Sequence, residues 1–458
     1  MSTAPALITR ISTRGPGSMS STVANDHRAD LRPGTHPTPE QVSPAPPPRR
    51  TGQGDQRRGE HLWTPPPAAP PAHEDPGAVD QDVPGAVRTV LGDLLDQQLA
   101  AAHAVDPLFG EDLAARVARF TQSGGKLARA RFVWWALRAC GGTEPAQAGA
   151  ALRIGAALEL IQTCALVHDD VMDGATLRRG RPALHVDVAR QYAGASDARR
   201  ADRLGQASAV LAGDLALAWA DDVIADTELP HRTARRVRDL WRAMRTEMVA
   251  GQYLDVQGEA TSGRSLARAI RAACLKSALY SVERPLALGA ALADAGPTAT
   301  RALCSAGRCV GLAFQLRDDL LDAFGDPRET GKPAGGDIRS GKPTYLAAVA
   351  RVRAEASGDR EAIEVLDGTL GRADASEAEL AAVREVFVTT GAHDTVEVKI
   401  RTLVAQGLRH LDTAVLEPEA ARRLRTLLRS ATGAPATAAS EAVPASLILT
   451  ATDDEAIR

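Results

Sequence analysis

The sequence predicts an all-α protein, a bundle of roughly a dozen helices in one domain. Apolar residues recur near positions i, i+3, i+4 and i+7 through seven long segments, whereas alternating β-branched runs with Asn-Gly or Asp-Gly turns are absent. Several segments are apolar on nearly every side, which is typical of helices at the centre of a bundle. The predicted helical segments are 87–102, 130–140, 151–170, 207–225, 233–256, 265–292 and 307–324.

The two ends of the chain differ from this helical body. The first 84 of the 458 residues hold 16 of the 28 prolines, and bulky aliphatic residues are sparse there. Such a segment cannot bury enough apolar surface to offset the entropy lost on folding. We therefore expect a disordered Pro/Arg-rich tail over residues 1–82, partly polyproline II, the helical domain over 83–432, and a flexible C-terminal tail over 433–458.

Composition excludes several classes of protein. A net charge of −3 provides no overall basic field for nucleic acid. The sequence contains no run of eighteen apolar residues, so we predict no transmembrane helix. The N-terminus lacks the apolar core of a secretory signal. The five cysteines include no CxxC pair. We expect reduced thiols and a cytoplasmic protein.

An acidic motif occurs twice, as DDVMD at 169–173 and as DDLLD at 318–322. Each follows an apolar helical run, so each should lie where a buried helix reaches water. Carboxylates four residues apart share a helix face and repel one another. A Mg²⁺ ion removes that repulsion and prefers to share phosphate oxygens. One such motif is a weak indication of a metal site, because an exposed acidic turn can have the same sequence. Two such motifs, each followed by basic residues, indicate metal–diphosphate binding.

Basic residues occur in three places that suit diphosphate oxygens. Arginine offers a planar fork and lysine a point charge to such oxygens. Two acidic clusters with three separate basic groups predict two diphosphate sites, one bridged by metal ions and one held by basic side chains alone. The basic groups are Lys126 and Arg129 in SGGKLARAR, Arg178 and Arg179 after the first acidic motif, and Lys332 and Lys342 in the Gly/Pro-rich loop 325–344.

The order of these motifs resembles that of the trans-type isoprenyl diphosphate synthases, the polyprenyl synthetases, and of geranylgeranyl diphosphate synthase-like members in particular. The order is GGK..R, DDxxD with RRG, GQ.LD, K[ST], FQ..DD..D, then GK with a downstream GK.T, over about residues 83–428. The resemblance implies an isoprenoid synthase helical bundle with a central pocket, usually a homodimer. It implies a Mg²⁺-dependent prenyltransferase that condenses isopentenyl diphosphate with an allylic diphosphate to give geranylgeranyl diphosphate.

The resemblance also implies a role for each motif residue, with about three Mg²⁺ ions in the site. The metal ligands would be Asp169, Asp170, Asp173, Asp318, Asp319 and Asp322. The allylic diphosphate would contact Arg178, Lys276, Lys332 and Lys342. Isopentenyl diphosphate would bind without metal to Lys126, Arg129, Gln162 and Arg179. The reacting centre would be lined by Ser277 and Gln315, with Gln252 and Asp255 in support. The catalytic set would be Asp169, Asp170, Asp173, Arg178, Lys276, Gln315, Asp318 and Asp319.

Two features depart from the family pattern. Gln162 stands where the family often has His, and because Gln carries no charge, we expect weaker or less pH-dependent binding of isopentenyl diphosphate. The first basic motif reads GGKLARA instead of GGKRxRP. Lys126 and Arg129 keep their spacing, so we expect the site to be retained.

The residues ahead of the first acidic motif bear on product length. Ile161, Cys164 and Ala165 lie one to two helical turns before Asp169 and are predicted to line the hydrocarbon pocket. In the family, an aromatic residue at either of the last two positions ends growth at farnesyl length. Both are small here, which favours a geranylgeranyl or longer product, with Trp219 as a deeper plug. Tight helix packing would also select small residues at these positions.

Other functions remain open at this stage. A longer-chain or a farnesyl diphosphate synthase shares every motif. A class I terpene cyclase would not need the second basic group and would prefer an aromatic cavity, whereas aromatic content is only 3%. A catalytically silent partner subunit or scaffold would have no need to keep both acidic motifs. The N-terminal tail is either a dispensable extension or a tether to a partner or a compartment shell, since Pro-rich segments dock readily in grooves.

Overall fold

The computed structural model of the protein describes residues 75–195, 197–261, 266–327 and 334–433, all within the same compact unit. These residues form helices joined by short turns, and their β structure is limited to one small hairpin, which confirms the all-α class. The helices are α1 (Pro76–Gln81), α2 (Val83–Val105), α3 (Ala115–Gln122), α4 (Ala128–Ala139), α5 (Pro145–Met172), α6 (Leu184–Tyr192), α7 (Ala198–Ala225), α8 (His231–Ala260), α9 (Leu266–Ala273), α10 (Arg284–Leu292), α11 (Pro297–Phe324), α12 (Gly336–Ser340), α13 (Tyr345–Ser357), α14 (Arg360–Thr369), α15 (Glu377–Thr389), α16 (Ala392–Leu411) and α17 (Pro418–Ala431). The strands are β1 (Leu177–Arg178) and β2 (Arg181–Pro182).

Two π-helical stretches interrupt the regular helices. Phe109–Ala114 leads into α3, and Cys274–Glu283 joins α9 to α10 without a break. The sequence predicts 265–292 as one uninterrupted helix, and the described part of that helix is continuous. Apolar periodicity did not reveal the wider turn inside it. We call Cys274–Glu283 the π segment.

The helical domain begins before residue 83, the predicted boundary. Helix α1 starts at Pro76, and the side chain of Asp75 accepts a hydrogen bond from the Gly77 N–H. Asp80 accepts a 2.8 Å hydrogen bond from Trp134 Nε1 and pairs with Arg138 at 2.9 Å, which fastens α1 to α4. The Pro-rich composition concealed this helix, although proline is favourable in a first helical turn. The rest of both predicted tails, residues 1–74 and 434–458, lies outside the described residues.

Two hydrophobic clusters form the core. The first is built mainly from α2, α4, α5, α7, α10 and α17, and the second from α9 and α11 to α16. The π segment and α11 contribute residues to both clusters. The carboxyl-terminal ends of α5 and α11, which carry the two acidic motifs, therefore belong to different clusters that meet at the π segment.

Helix α5 is the one helix in the described part of the chain with the length and apolar composition of a membrane span. Of its most apolar 18-residue window, 78% is buried inside the bundle. Glu144 and Gln147 form a capping box at its start, and Pro145 lies in its first turn. The apolar length of α5 matches its place in the core.

Candidate functional site

The first acidic motif ends α5, and a two-residue hairpin folds back over it. Strands β1 and β2 pair in antiparallel register, Arg178 with Arg181, and the turn residues Arg179 and Gly180 have positive φ values of 53° and 73°. Such a turn matches the natural twist of a hairpin. Arg178 Nε donates to Asp170 Oδ1 at 2.7 Å, and its Nη2 donates to Asp169 Oδ2 at 3.3 Å. The hairpin thus directs Arg178 onto the acidic motif.

Asp169 is the centre of a network that joins three elements. It accepts hydrogen bonds from Lys276 Nζ at 3.0 Å and from Gln252 Nε2 at 3.1 Å. Lys276 also pairs with Asp255 at 2.7 Å, and the same carboxylate of Asp255 accepts Lys342 Nζ at 3.0 Å. Lysines from the π segment and from the loop before α13 therefore lie against carboxylates of α5 and α8.

The second acidic motif lies at the end of α11. Asp319 is buried and accepts a 2.7 Å hydrogen bond from Gln315 Nε2, while Gln315 Oε1 accepts the hydroxyl hydrogen of Ser277. Asp322 accepts the N–H of Asp337 at 2.8 Å, and Asp318 is exposed.

A pocket beside this motif brings one of the lysines to it. The pocket lining includes Asp319, Asp322, Asp337 and Lys342. Lys342 also contacts Asp255, and its charge acts on Asp169, so it lies between the two acidic motifs. We call the two motifs together with Lys276, Lys342, Asp255 and Arg178 the acidic site.

Charge in the acidic site is unevenly compensated. Burial acts to raise the pKa of Asp169, but Lys276 and Lys342 outweigh it and hold that pKa below its ordinary value. Burial also acts to lower the pKa of Lys342, but Asp337, Asp255 and Asp169 outweigh it and raise that pKa well above its ordinary value. The carboxyl group of Asp169 and the ammonium group of Lys342 are therefore both held in their charged forms.

Asp173 and Asp319 are less completely compensated. Burial and repulsion by Asp169 raise the pKa of Asp173 to about 6. Burial, with the charge of Asp337, raises the pKa of Asp319 well above its ordinary value. Asp170 Oδ2 is buried without a hydrogen-bond partner among the described residues. The site can therefore accept additional positive charge.

The donor set suits Mg²⁺. Carboxylate oxygens are the ligands that Mg²⁺ prefers, and this ion keeps several waters and shares phosphate oxygens. Within the described residues, no three His, Cys, Asp or Glu side chains are already gathered as a metal cage. The residue types fit a Mg²⁺ ion that keeps waters and shares phosphate oxygens.

A cluster of basic residues, separate from the acidic site, lies on the other side of the hairpin, around the Gly-Gly loop before α4. Gly124 and Gly125 have φ values of 140° and 122°, a region that favours glycine. A Cβ at Gly125 would lie 3.6 Å from Arg179 Nη2 and 3.9 Å from Glu159 Oε2. The loop backbone therefore lies beside Arg179 and Glu159.

Arg129 and Gln162 meet at the π segment. Arg129 Nη2 donates to Ser281 Oγ at 2.8 Å, and its Cζ lies 4.5 Å from the centroid of the Tyr280 ring. The Tyr280 hydroxyl donates to Gln162 Oε1 at 2.9 Å. We call Lys126, Arg129, Arg179 and Gln162 the basic site; Lys126 is exposed at its edge.

The structure thus gathers most of the predicted site residues into two neighbouring groups. Lys332 lies outside the described residues. Sequence reasoning missed Glu159, Tyr280 and Asp337. Tyr280 lies one turn after Lys276, and Glu159 lies one turn before Gln162 and Thr163; these spacings were the available signals for the two residues.

The predicted pocket wall lies at the contact between α5 and α7. Ile161 and Cys164 are buried, and Ala165 is half-buried. Cys164 Sγ lies 3.8 Å from His168 Nδ1, and His168 Nε2 donates to the Val210 carbonyl of α7 at 3.0 Å. Cys164 therefore serves the packing of α5 against α7, and its role in a hydrocarbon pocket stays a prediction.

Comparison with known proteins gives a consistent result. The family model described as polyprenyl synthetase matches residues 111–386. A geranylfarnesyl diphosphate synthase of Aeropyrum pernix is 32% identical over 286 residues, which cover 62% of this chain and 81% of that protein. A (2E,6E)-farnesyl diphosphate synthase of Mycobacterium tuberculosis is 34% identical over 284 residues, which cover 62% and 72% of the two chains.

Solved structures agree with the sequence comparisons. A crystal structure of geranylgeranyl pyrophosphate synthase from Corynebacterium glutamicum, complexed with isoprenyl diphosphate and magnesium, superimposes with a TM-score of 0.71 at 38% identity. The superposition covers 76% of this chain and 98% of that chain. The relatives are named for products of different length.

Proposed function

Because the chain belongs to the polyprenyl synthetase family, we propose that it condenses isopentenyl diphosphate with an allylic diphosphate to make geranylgeranyl diphosphate with all-trans double bonds. Its relatives are prenyltransferases, and the chain is an enzyme of the short-chain isoprenyl diphosphate synthase type. The observation that carries the proposal is the hydrogen-bonded network of Asp169, Lys276, Asp255 and Lys342 between the two acidic motifs, with a separate basic site beside it.

In this proposal the acidic site binds the allylic diphosphate. Arg178, Lys276 and Lys342 supply fixed positive charge, to which the resemblance adds Lys332. Mg²⁺ would be held by carboxylates of the two acidic motifs and would act as a Lewis acid on the leaving diphosphate. The ligands would be Asp169, Asp170, Asp173, Asp318, Asp319 and Asp322.

The chain's own residues account for the remaining chemistry. The alkene of isopentenyl diphosphate is a weak nucleophile, so the allylic C–O bond must ionise to a delocalised cation. Preorganised charges of Arg178, Lys276 and Lys342 stabilise the diphosphate as that bond breaks. A new C–C bond then forms and a proton is lost, with the released diphosphate as its acceptor. Ser277 and Gln315 line this region, and exclusion of water from the site would protect the cation from being quenched to an alcohol.

The basic site would hold isopentenyl diphosphate without metal. Arg129 and Arg179 provide planar donors to its oxygens, Gln162 provides an amide donor, and Lys126 adds charge at the rim. The small residues Cys164 and Ala165 support a geranylgeranyl product, because neither would block a chain that grows along α5.

We also propose that the protein is cytoplasmic and, as the family resemblance implies, a homodimer. All five cysteines are free thiols, as a reducing compartment requires. Their burial is consistent with this setting, since burial raises the pKa of Cys140, Cys304 and Cys309 to about 11 and so keeps these thiols unreactive.

Product analysis tests the proposal. Purified protein, Mg²⁺ and labelled isopentenyl diphosphate would be incubated separately with dimethylallyl, geranyl and farnesyl diphosphates. We expect elongation that stops at geranylgeranyl length and is abolished by Asp169→Asn, with the exposed Glu364→Gln as a control of unchanged activity. Longer products would retain the reaction but contradict the product. Folded protein that elongates no starter would contradict the reaction.

A further inference from the structure

One buried tyrosine contacts two members of the basic site at once. We propose that Tyr280 is a positioning residue that holds both Gln162 and Arg129 in the orientation that receives isopentenyl diphosphate; this inference rests on the function proposed above. Tyr280 is 3% exposed, so the contacts that it makes inside the π segment are made away from bulk water.

The hydroxyl of Tyr280 fixes the side-chain amide of Gln162. It donates to Gln162 Oε1 at 2.9 Å, and burial raises the pKa of Tyr280, which keeps the hydroxyl protonated as a donor. With Oε1 engaged, the Nε2 hydrogens are the end of the amide left to donate to an anion. If the amide rotated, its oxygen would face the diphosphate and repel it.

The ring of Tyr280 fixes the guanidinium of Arg129. The Arg129 Cζ lies 4.5 Å from the ring centroid, and Nη2 is held by Ser281 Oγ at 2.8 Å. A guanidinium over an aromatic face keeps its plane while its edge stays available for hydrogen bonds. The Nε of Arg129 is buried and has no partner among the described residues, so the face contact carries much of the orientation.

The residue after Tyr280 in the π segment adds a further contact to the basic site. Tyr280 faces Gln162 on α5, and Ser281 reaches Arg129 on α4. π-helical stretches inside α-helices are frequent at functional sites. The chain therefore combines a neutral Gln162 with a tyrosine that orients it. In the proposed function, this orientation compensates for the lack of a histidine at position 162.

Two substitutions separate the two contacts. Tyr280→Phe removes the hydroxyl and keeps the ring, so we expect the KM for isopentenyl diphosphate to rise about 3- to 10-fold, the range for a lost hydrogen bond. The KM for the allylic substrate should stay within about 2-fold. Tyr280→Leu also removes the ring face and should raise the KM for isopentenyl diphosphate by at least about another 3-fold.

The matched control is Tyr192→Phe. Tyr192 also donates a hydrogen bond from a tyrosine hydroxyl, at 2.6 Å to Asp112, but on α6 and away from the basic site. This variant should leave both KM values unchanged. A double-substitution cycle adds a second readout: Tyr280→Phe should have no further effect once Gln162→Ala is present, because its hydroxyl then has no amide to orient.

Calorimetry without metal would measure the binding of isopentenyl diphosphate to the unmodified protein and to Tyr280→Phe. This measurement separates failure of this inference from failure of the proposed function. Wild-type protein that elongates normally, with an unchanged KM and unchanged binding in Tyr280→Phe, would overturn the role of Tyr280 alone. Equal increases in both substrate KM values, or additive effects in the double-substitution cycle, would reduce Tyr280 to a general structural role. Wild-type protein that neither elongates nor binds isopentenyl diphosphate would overturn both proposals.

Discussion

Adjacent residues of one acidic motif have unlike surroundings. Asp170 is fully buried and bound by Arg178, whereas Asp169 is shared between Lys276, Gln252 and Arg178. Asp173, at the end of the same helix, carries a carboxyl whose pKa is raised to about 6 by burial and by Asp169. Three carboxylates that look equivalent in the sequence therefore have different energetic roles.

Asparagine substitutions should separate those roles. Burial raises the pKa of Asp170 and so disfavours its charge, but Asp170→Asn also leaves the guanidinium of Arg178 with Asp169 as its remaining counter-charge. Because an incompletely compensated buried charge is costly, we expect the free energy of unfolding to fall by about 1–3 kcal/mol. Asp173→Asn removes a carboxylate that is repelled by Asp169, so we expect equal or slightly higher stability at pH 7.5 together with a large loss of turnover. Urea denaturation and steady-state kinetics check both. A loss of stability in Asp173→Asn that matches that in Asp170→Asn would contradict the assignment.

Glu159 gives a pH-dependent prediction. Burial raises its pKa above the ordinary value of 4.5, although Arg129 and Arg179 act in the opposite direction. From pH 4.5 up to the raised pKa, the folded state binds a proton that the unfolded state releases, so stability falls as pH rises through that window and stays lower above it.

The Glu159→Gln variant should lose less stability than the wild type between pH 4.5 and pH 8, as measured by urea denaturation at both values. Glu364→Gln, on an exposed face of α14, is the matched control and should keep the wild-type pH dependence. Identical pH dependence in Glu159→Gln and wild type would show that the ionised carboxylate carries no cost in the folded protein.

At the level of elements, the π segment packs closely against two helices, α8 and α11. A Cβ at Gly251 of α8 would lie 2.4 Å from the Lys276 backbone nitrogen, and a Cβ at Gly311 of α11 would lie 2.6 Å from the Ala278 Cα. Both distances are shorter than backbone atoms tolerate. The close packing that positions Lys276, the lysine that binds Asp169, therefore depends on glycine at positions 251 and 311.

Alanine at Gly251 should displace the π segment. We expect a loss of about 1–3 kcal/mol in the free energy of unfolding and a rise in the KM for the allylic substrate as Lys276 moves away from Asp169. The control is Gly92→Ala in α2, where an added Cβ has no atom within 4 Å. This substitution should stabilise the helix by up to about 1 kcal/mol. Wild-type stability and KM in Gly251→Ala would mean that α8 can retreat without disturbing the site.

Sequence periodicity predicted the long helices because each buries a continuous apolar face. It did not predict the π segment, since one wider turn leaves the apolar spacing almost unchanged. The acidic motifs were found from their local spacing, whereas Lys276 and Ser277 were implied by the family resemblance. Glu159, Tyr280 and Asp337 were missed, because each becomes a site neighbour only when α4, α5, α11 and the π segment pack together. Helix α1 was missed because its prolines resembled those of the tail.

At the scale of the whole molecule, the acidic site spans two hydrophobic clusters. The end of α5 belongs to the first cluster and the end of α11 to the second, and Lys342 contacts carboxylates associated with each. A diphosphate with Mg²⁺ in this site would contact side chains from both clusters.

Ligand should therefore protect both halves together. Saturating Mg²⁺ and inorganic pyrophosphate should slow hydrogen exchange at the ends of α5 and α11 alike, and stabilise the protein by about 2.7 kcal/mol when the ligand is at 100 times its Kd. EDTA should reverse both effects, and Asp318→Asn with Asp322→Asn should weaken them. Protection confined to α5 would contradict a site shared by the two clusters.

The hairpin turn after α5 carries two arginines on consecutive residues. Arg178 leads to the acidic site and Arg179 to the basic site, and the positive φ values at Arg179 and Gly180 make that divergence possible. If both sites bind diphosphate as proposed, a shift of this turn would move both arginines. We therefore expect a free-energy coupling between the two sites, which must be reciprocal, so that each diphosphate alters the affinity for its reaction partner by the same factor.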